Sequence, residues 1–361
     1  MTTHLLVIAV SSDTGAEETL AERLSVYAGI ADTMDVIVPG GVDDTHMCRG
    51  RVHKIPQGRS SWRFLWRIVC TGKIVFPRIA SGTNDKRLIV VEGVGIGVIA
   101  GTYLARIRKV PVEIVCDRVH VHGETGESRG ILEGVVVRAL ARASGVRVPS
   151  RRVRNLFVER YPLAPQPIVL SFPVTMSDER RVHDAELVLG YAPDSSAQGT
   201  LLTAWRHIVN RYPRMRLTMM TGNALETSAL VHRVGLGDSV SCIDADEKEV
   251  SSAYASAAYA IHAPVTAPVG KQLIRMVRAG IPSVTTDTGI VGDLLTGNDV
   301  LVCPPGDGSC IAKQILFLLD NPQVCASLIA STLRSAHTLP RAITDARRHA
   351  DTLKSLWMSY R

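Results

Sequence analysis

A chain of 361 residues is long for one hydrophobic core and comfortable for two α/β domains. Its residues are 46% hydrophobic, yet no uninterrupted apolar run approaches the roughly 20 residues that a membrane-crossing helix needs. A net charge of +7 is compatible with an anionic membrane or an anionic substrate such as a nucleotide diphosphate; aromatics at 5%, with no basic–aromatic module, set nucleic acid aside as a partner.

The chain opens on MTTHLLVIAVSSDTG, apolar only over LLVIAV and without a basic leader. That reads as a buried first strand and not as a signal peptide, so a soluble, cytoplasmic protein is expected. Short β-branched runs follow at 34–40, 87–93, 112–117, 167–173, 186–192, 216–222, 239–244, 259–263, 282–287 and 299–305. Such continuous apolar runs suit parallel strands covered on both faces. Helix-length segments lie between them at 15–28, 97–108, 129–144, 199–211, 226–235, 247–257, 270–279 and 309–320. The alternation predicts doubly wound sheets, and about eleven strands are too many for one of them. The polar stretch TMSDERRVHDAE (175–186) reads as the linker. The last segment repeats Leu353, Leu356, Trp357 and Tyr360 at helical spacing. Seven scattered cysteines without a C-x-x-C pair read as buried thiols, not as a disulfide framework or a metal site.

One segment is amphipathic and basic. In GRSSWRFLWRIVCTGK (58–73), a helix over 59–70 places Trp62, Leu65, Trp66 and Val69 on one face and Arg59, Arg63 and Arg67 on another. Residues 44–87 hold ten Lys/Arg against two Asp/Glu. Two readings stand side by side: a domain helix with core tryptophans and a solvated basic face, or an interfacial helix presenting Trp62, Arg63, Trp66 and Arg67 to an anionic membrane.

Residues 235–322, from GLGDSVSCIDADEKEV through GKQLIRMVRAGIPSVTTDTGIVGDLL to CPPGDGSC, resemble the second half of the family 4 retaining glycosyltransferases. The resemblance extends over 185–360 and, loosely, over 1–175. It implies an α/β GT-B fold, two Rossmann-like domains facing across a cleft. Residues 1–174 would form the acceptor side, joined by a returning helix at 345–361, and residues 185–344 the nucleotide-sugar side. The matching features are Gly190, Gly222, Gly235-Leu236-Gly237-Asp238, Gly270, Ala279-Gly280-Ile281-Pro282 and Pro304-Pro305-Gly306-Asp307. The departures fall on charged positions. Where the family has an arginine after the first strand and then a lysine, this chain has Tyr191 and Gln198. Where it has two glutamates eight residues apart, this chain has Ala267 and Arg275.

By this resemblance the donor would be held by Gly190, Gly222, Gly270, Lys271, Arg275, Thr288 and Gly289, with Lys271 and Arg275 supplying cations lost elsewhere. Arginine cannot take over a glutamate's acceptor role toward ribose hydroxyls, because it carries donors only. The family's loop after the first strand corresponds to Thr14-Gly15-Ala16-Glu17, so Thr14 and Gly15 would form an acceptor-side loop. The family's histidine after a Val-Pro strand points to Asp117 and His120 as catalytic candidates, although lone histidines such as the pair in VHVHG are more often surface or core residues. The implied activity is sugar transfer from a nucleotide sugar to a glycan or lipid-linked acceptor, with retention, without a metal and without a cofactor. The alternative is an inactive relative that serves as partner of a working glycosyltransferase. An anionic membrane surface is a further expected partner, which would make the protein peripheral on the cytoplasmic membrane face.

Overall fold

The structure is a computed structural model that describes residues 2–9, 17–40, 50–56, 61–76, 85–116, 131–171, 184–244, 247–265, 270–289, 291–338 and 346–360. The chain divides into two compact units, Met1–Pro173 with Arg341–Arg361, and Val174–Pro340.

In the first unit the described elements are β1 (Thr3–Ala9), α1 (Glu17–Ile30), β2 (Thr33–Pro39), β3 (Arg51–Ile55), α2 (Ser61–Val75), β4 (Lys86–Glu92), α3 (Ile96–Arg108), β5 (Val112–Val115), α4 (Ile131–Leu140), β6 (Gly145–Val148), α5 (Arg151–Arg160) and β7 (Ile168–Val169). The strands form one parallel sheet in the order β3-β2-β1-β4-β5-β6-β7. Strand β1 is central, with Leu5, Leu6, Val7 and Ile8 buried on both faces, as its unbroken apolar run requires. Strand β3 is an edge that apolar patterning does not reveal. It is held by polar bonds, because Asp35 of β2 accepts from Arg51 at 3.0 Å and pairs with His53 at 2.8 Å.

Strand β6 was also invisible to hydrophobic patterning, because Arg147 sits in its middle. Arg147 and Glu113 of β5 are both fully buried and paired at 3.4 Å. The Arg147 guanidinium also donates to the Tyr27 hydroxyl at 2.5 Å, and that hydroxyl donates to Glu92 at 2.6 Å. Glu92 is paired in turn with Arg23 at 3.2 Å. Charges removed from water persist when each finds a partner, and this chain of contacts provides them. The final helix, α12 (Ala346–Ser359), belongs to this unit and completes the network. Trp357 Nε1 donates to Glu113 at 3.0 Å, the Tyr360 hydroxyl donates to the same carboxylate at 3.1 Å, and the Trp357 ring lies 5.4 Å from the Tyr27 ring.

The second unit runs β8 (Asp184–Tyr191), α6 (Ser195–Arg211), β9 (Arg216–Thr221), α7 (Ala224–Arg233), β10 (Val240–Asp244), α8 (Glu247–Ser256), β11 (Ala257–His262), α9 (Lys271–Arg278), β12 (Ser283–Thr286), β13 (Leu301–Cys303), α10 (Gly308–Asp320) and α11 (Pro322–Thr338). Its sheet is parallel, in the order β10-β9-β8-β11-β12-β13. Val188, Leu217, Ile261 and Val284 pack against Trp205, Ile208, Ile311 and Ile315 of the covering helices. The Trp205 indole donates to Ser239 at 3.0 Å, so its one polar atom is satisfied in that core. Apolar patterning predicted neither α5 nor α11, and of the strand expected over 167–173 the described part pairs with β6 through Ile168 and Val169.

Candidate functional site

In open parallel sheets, ligands settle outside the carboxyl ends of the strands where the chain reverses its direction of winding. In the second unit that point lies between β8 and β11. The chain goes from β8 to β9 and β10 on one side, then returns to lay β11, β12 and β13 on the other. The last residues of the two strands, Tyr191 and His262, are direct register partners. Their rings stack at 5.4 Å between centroids, with 13° between planes. Next to them, β12 ends on Thr285 and Thr286, followed by Thr288, all three buried.

Burial holds His262 neutral, pushing its pKa down from 6.5 to about 3. Its tautomer follows from its neighbours. The Thr285 hydroxyl donates to the Thr286 carbonyl at 3.2 Å, so it accepts from His262 Nδ1–H at 3.1 Å. Nε2 is then a bare acceptor, buried and without a hydrogen-bond partner among the described residues. In the sequence the one signal for His262 is its polar ring inside the apolar run YAIHA. The Thr286 hydroxyl donates to the Pro264 carbonyl at 2.6 Å and fastens the end of β12 to the chain leaving β11.

Helix N-termini are the other source of ligand contacts here, because their first N–H groups lack intrahelical partners. Helices α6, α7 and α10 close theirs with their own side chains: Asp194 accepts from Ala197 N at 2.9 Å, Asn223 from Glu226 N at 3.1 Å and Asp307 from Cys310 N at 2.8 Å. Helix α9 differs. Gly270 precedes it at φ 78°, in the left-handed region that favours glycine, and has no side chain of its own with which to cap it. A buried bond from the Tyr254 hydroxyl to Gln272, 2.5 Å long, fixes the helix from behind.

The predicted donor residues fall on these elements. Lys271 begins α9 and is half-buried, while Arg275, one turn on, is buried. Thr288 and Gly289 follow β12, both buried, with Gly289 at φ 59°. Gly222 is exposed at the end of β9, and a Cβ there would meet nothing nearer than the Pro193 carbonyl at 3.7 Å. Gly190 has a packing reason: a Cβ would come within 2.7 Å of Leu201 and 2.9 Å of Leu217. The two residues replacing family cations are occupied internally. Tyr191 stacks on His262, and Gln198 donates to the Thr221 hydroxyl at 3.3 Å. Asp117, His120, Thr14, Gly15 and Ala267 lie outside the described residues.

The amphipathic segment is helix α2, and of the two arrangements expected for it the structure has the one with its tryptophans outside the core. Phe64, Ile68, Val69 and Gly72 face inward, whereas Trp62 and Trp66 are exposed together with Arg63 and Arg67. Leu65 is half-buried and Val69 buried, so the stripe they share with the tryptophans straddles the boundary between core and solvent. Gly72 permits the packing, because a Cβ there would come within 2.5 Å of Leu104 on α3.

Comparison with known proteins places these observations. Residues 187–321 match the family model described as Glycosyl transferases group 1. No curated protein sequence matches the chain. Among solved structures, Anabaena Alr3699/HepE in complex with UDP is 15% identical, covers 98% of this chain and 100% of its own, and superposes with a TM-score of 0.71. Sucrose-phosphate synthase (tll1590) from Thermosynechococcus elongatus is 16% identical, covers 99% and 98%, and scores 0.76. WaaG, a glycosyltransferase involved in lipopolysaccharide biosynthesis, is 12% identical, covers 99% and 100%, and scores 0.70. Residues 187–321 are thus similar to the glycosyl transferases group 1 family, and the chain has a GT-B fold.

Proposed function

We propose that the protein transfers a sugar from a nucleotide-sugar donor to a glycan or lipid-linked acceptor, with retention and without a metal. The observation that carries this reading is the group 1 match itself, which runs from β8 to the end of α10 and so contains the whole switch point with Tyr191, His262 and α9. The positive end of the α9 dipole, entered through Gly270 and with Lys271 on the first turn, suits a diphosphate. Similar folds solved with UDP and with UDP-glucose support this donor class. Asp117 and His120 are proposed on the acceptor side, by resemblance alone. Within such a site the protein's work is to hold the diphosphate, stabilise the charge that builds on it and place the acceptor hydroxyl beside the sugar.

One observation favours the second reading, an inactive partner of another glycosyltransferase. Tyr191 and Gln198, in place of two cations, are engaged with the protein's own residues. Binding separates the two. UDP, GDP, ADP, TDP and their sugars should be screened by thermal shift and calorimetry. A bound nucleotide stabilises by about 2.7 kcal/mol at a hundredfold excess over its Kd. Product anomeric configuration by NMR, and turnover with and without EDTA, test retention and metal independence. Stable co-purification with another glycosyltransferase and no shift with any nucleotide would establish the partner role.

A further inference from the structure

We propose that the exposed face shared by α2 and α3 docks the protein on an anionic lipid surface. Trp62 is 57% exposed, Trp66 62% and Ile74 78%, all on the outer side of α2, and Tyr103 on α3 is 45% exposed. Large side chains held in water at one place mark a surface that something covers. The charges say what. Helices α2 and α3 contain no Asp or Glu, and Arg63, Arg67 and Arg106 are exposed on them. Lys73 sits among the rings, its ammonium 5.7 Å from the centre of Trp66 and 5.6 Å from that of Tyr103. Cation–π contacts hold this charge amid the aromatic rings.

A protein partner's contact centre is depleted of lysine, whereas here a lysine stands in the middle of the patch. Indole and phenol rings mixed with arginine and lysine match the zone between lipid headgroups and acyl chains. There the rings enter the boundary and the cations meet phosphates, each cation adding attraction that salt screens. The patch is built entirely within the first unit, so lipid docking does not depend on whether the protein transfers sugar.

The test uses the full chain without nucleotide. The other two tryptophans, Trp205 and Trp357, are buried, so a blue shift of emission on binding reports Trp62 and Trp66. The expected result is binding to phosphatidylcholine vesicles containing phosphatidylglycerol, with a blue shift, and loss of binding as salt rises. Arg63→Ala with Arg67→Ala should weaken binding by about fivefold per cation removed. Trp62→Ala with Trp66→Ala should weaken it about tenfold or more, because both rings lose burial. Both side-chain pairs are exposed, and unchanged circular dichroism and melting would confirm intact folding. No binding to anionic vesicles at low salt, or equal binding by the tryptophan variant, overturns the proposal. Self-association that shifts the emission without lipid overturns it too, assigning the face to a second copy of the chain.

Discussion

Lowering the pH should destabilise the second unit through His262. The ring is fully buried and its pKa falls from 6.5 to about 3. In the unfolded chain the same ring takes up a proton below about pH 6.5, while the folded one does not until about pH 3. The contribution is therefore fully present above pH 6.5 and is lost progressively as pH falls toward 3. Between pH 7.5 and pH 5 the loss is about 2 kcal/mol, from roughly 1.4 kcal/mol for each pH unit below the unfolded value. Because the chain has two units, global unfolding curves would mix their transitions. Hydrogen exchange of the β11 and β12 amides reads the relevant one. His262→Leu and His262→Gln should both flatten the dependence by about that amount, whatever they do to stability at pH 7.5. An unchanged slope in both variants, or a His262 ring that titrates near pH 6.5 by NMR, would refute the reasoning.

Trp357→Ala should cost the first unit about 3–5 kcal/mol, read by hydrogen exchange of amides in the mutated unit's own sheet, because it opens a cavity and removes a donor from the buried Glu113 carboxylate. Asp194→Ala should cost about 1 kcal/mol by uncapping α6, measured the same way. For Lys271→Ala, calorimetry should show UDP affinity lower by roughly 10- to 100-fold if the ammonium meets the diphosphate; unchanged affinity would take Lys271 out of the donor site.

The parallel sheets were legible in sequence because strands such as LLVIAV and RLIVVE are apolar on both faces. Strands β3 and β6 were not, since one relies on Asp35 and the other contains a buried arginine whose partners come from distant segments. The glycine before α9 was readable as a turn, and its left-handed geometry supplies the reason. The Tyr191–His262–Thr285 cluster was not, because the three residues close three different strands and meet only through sheet register. Helix α2 was recognisable as amphipathic, but periodicity alone did not decide which stripe would face inward. Phe64 and Ile68, four residues apart, took that side, and the tryptophans were left outside.

The attachment of α12 to the first unit also bears on the order in which the protein can mature. Glu113 meets the Trp357 indole 244 residues further along the chain, after the whole second unit has been made. At about 5–20 residues per second, a ribosome needs roughly 12 to 50 s to supply that partner. By the end of this interval the second unit is complete, while in the first Glu113 has Arg147 as partner but still lacks the Trp357 and Tyr360 donors. Nascent chains arrested before residue 346 should accordingly show a protease-resistant second unit and a first unit still open to cleavage. Equal protection of both would mean that the first sheet closes without its last helix.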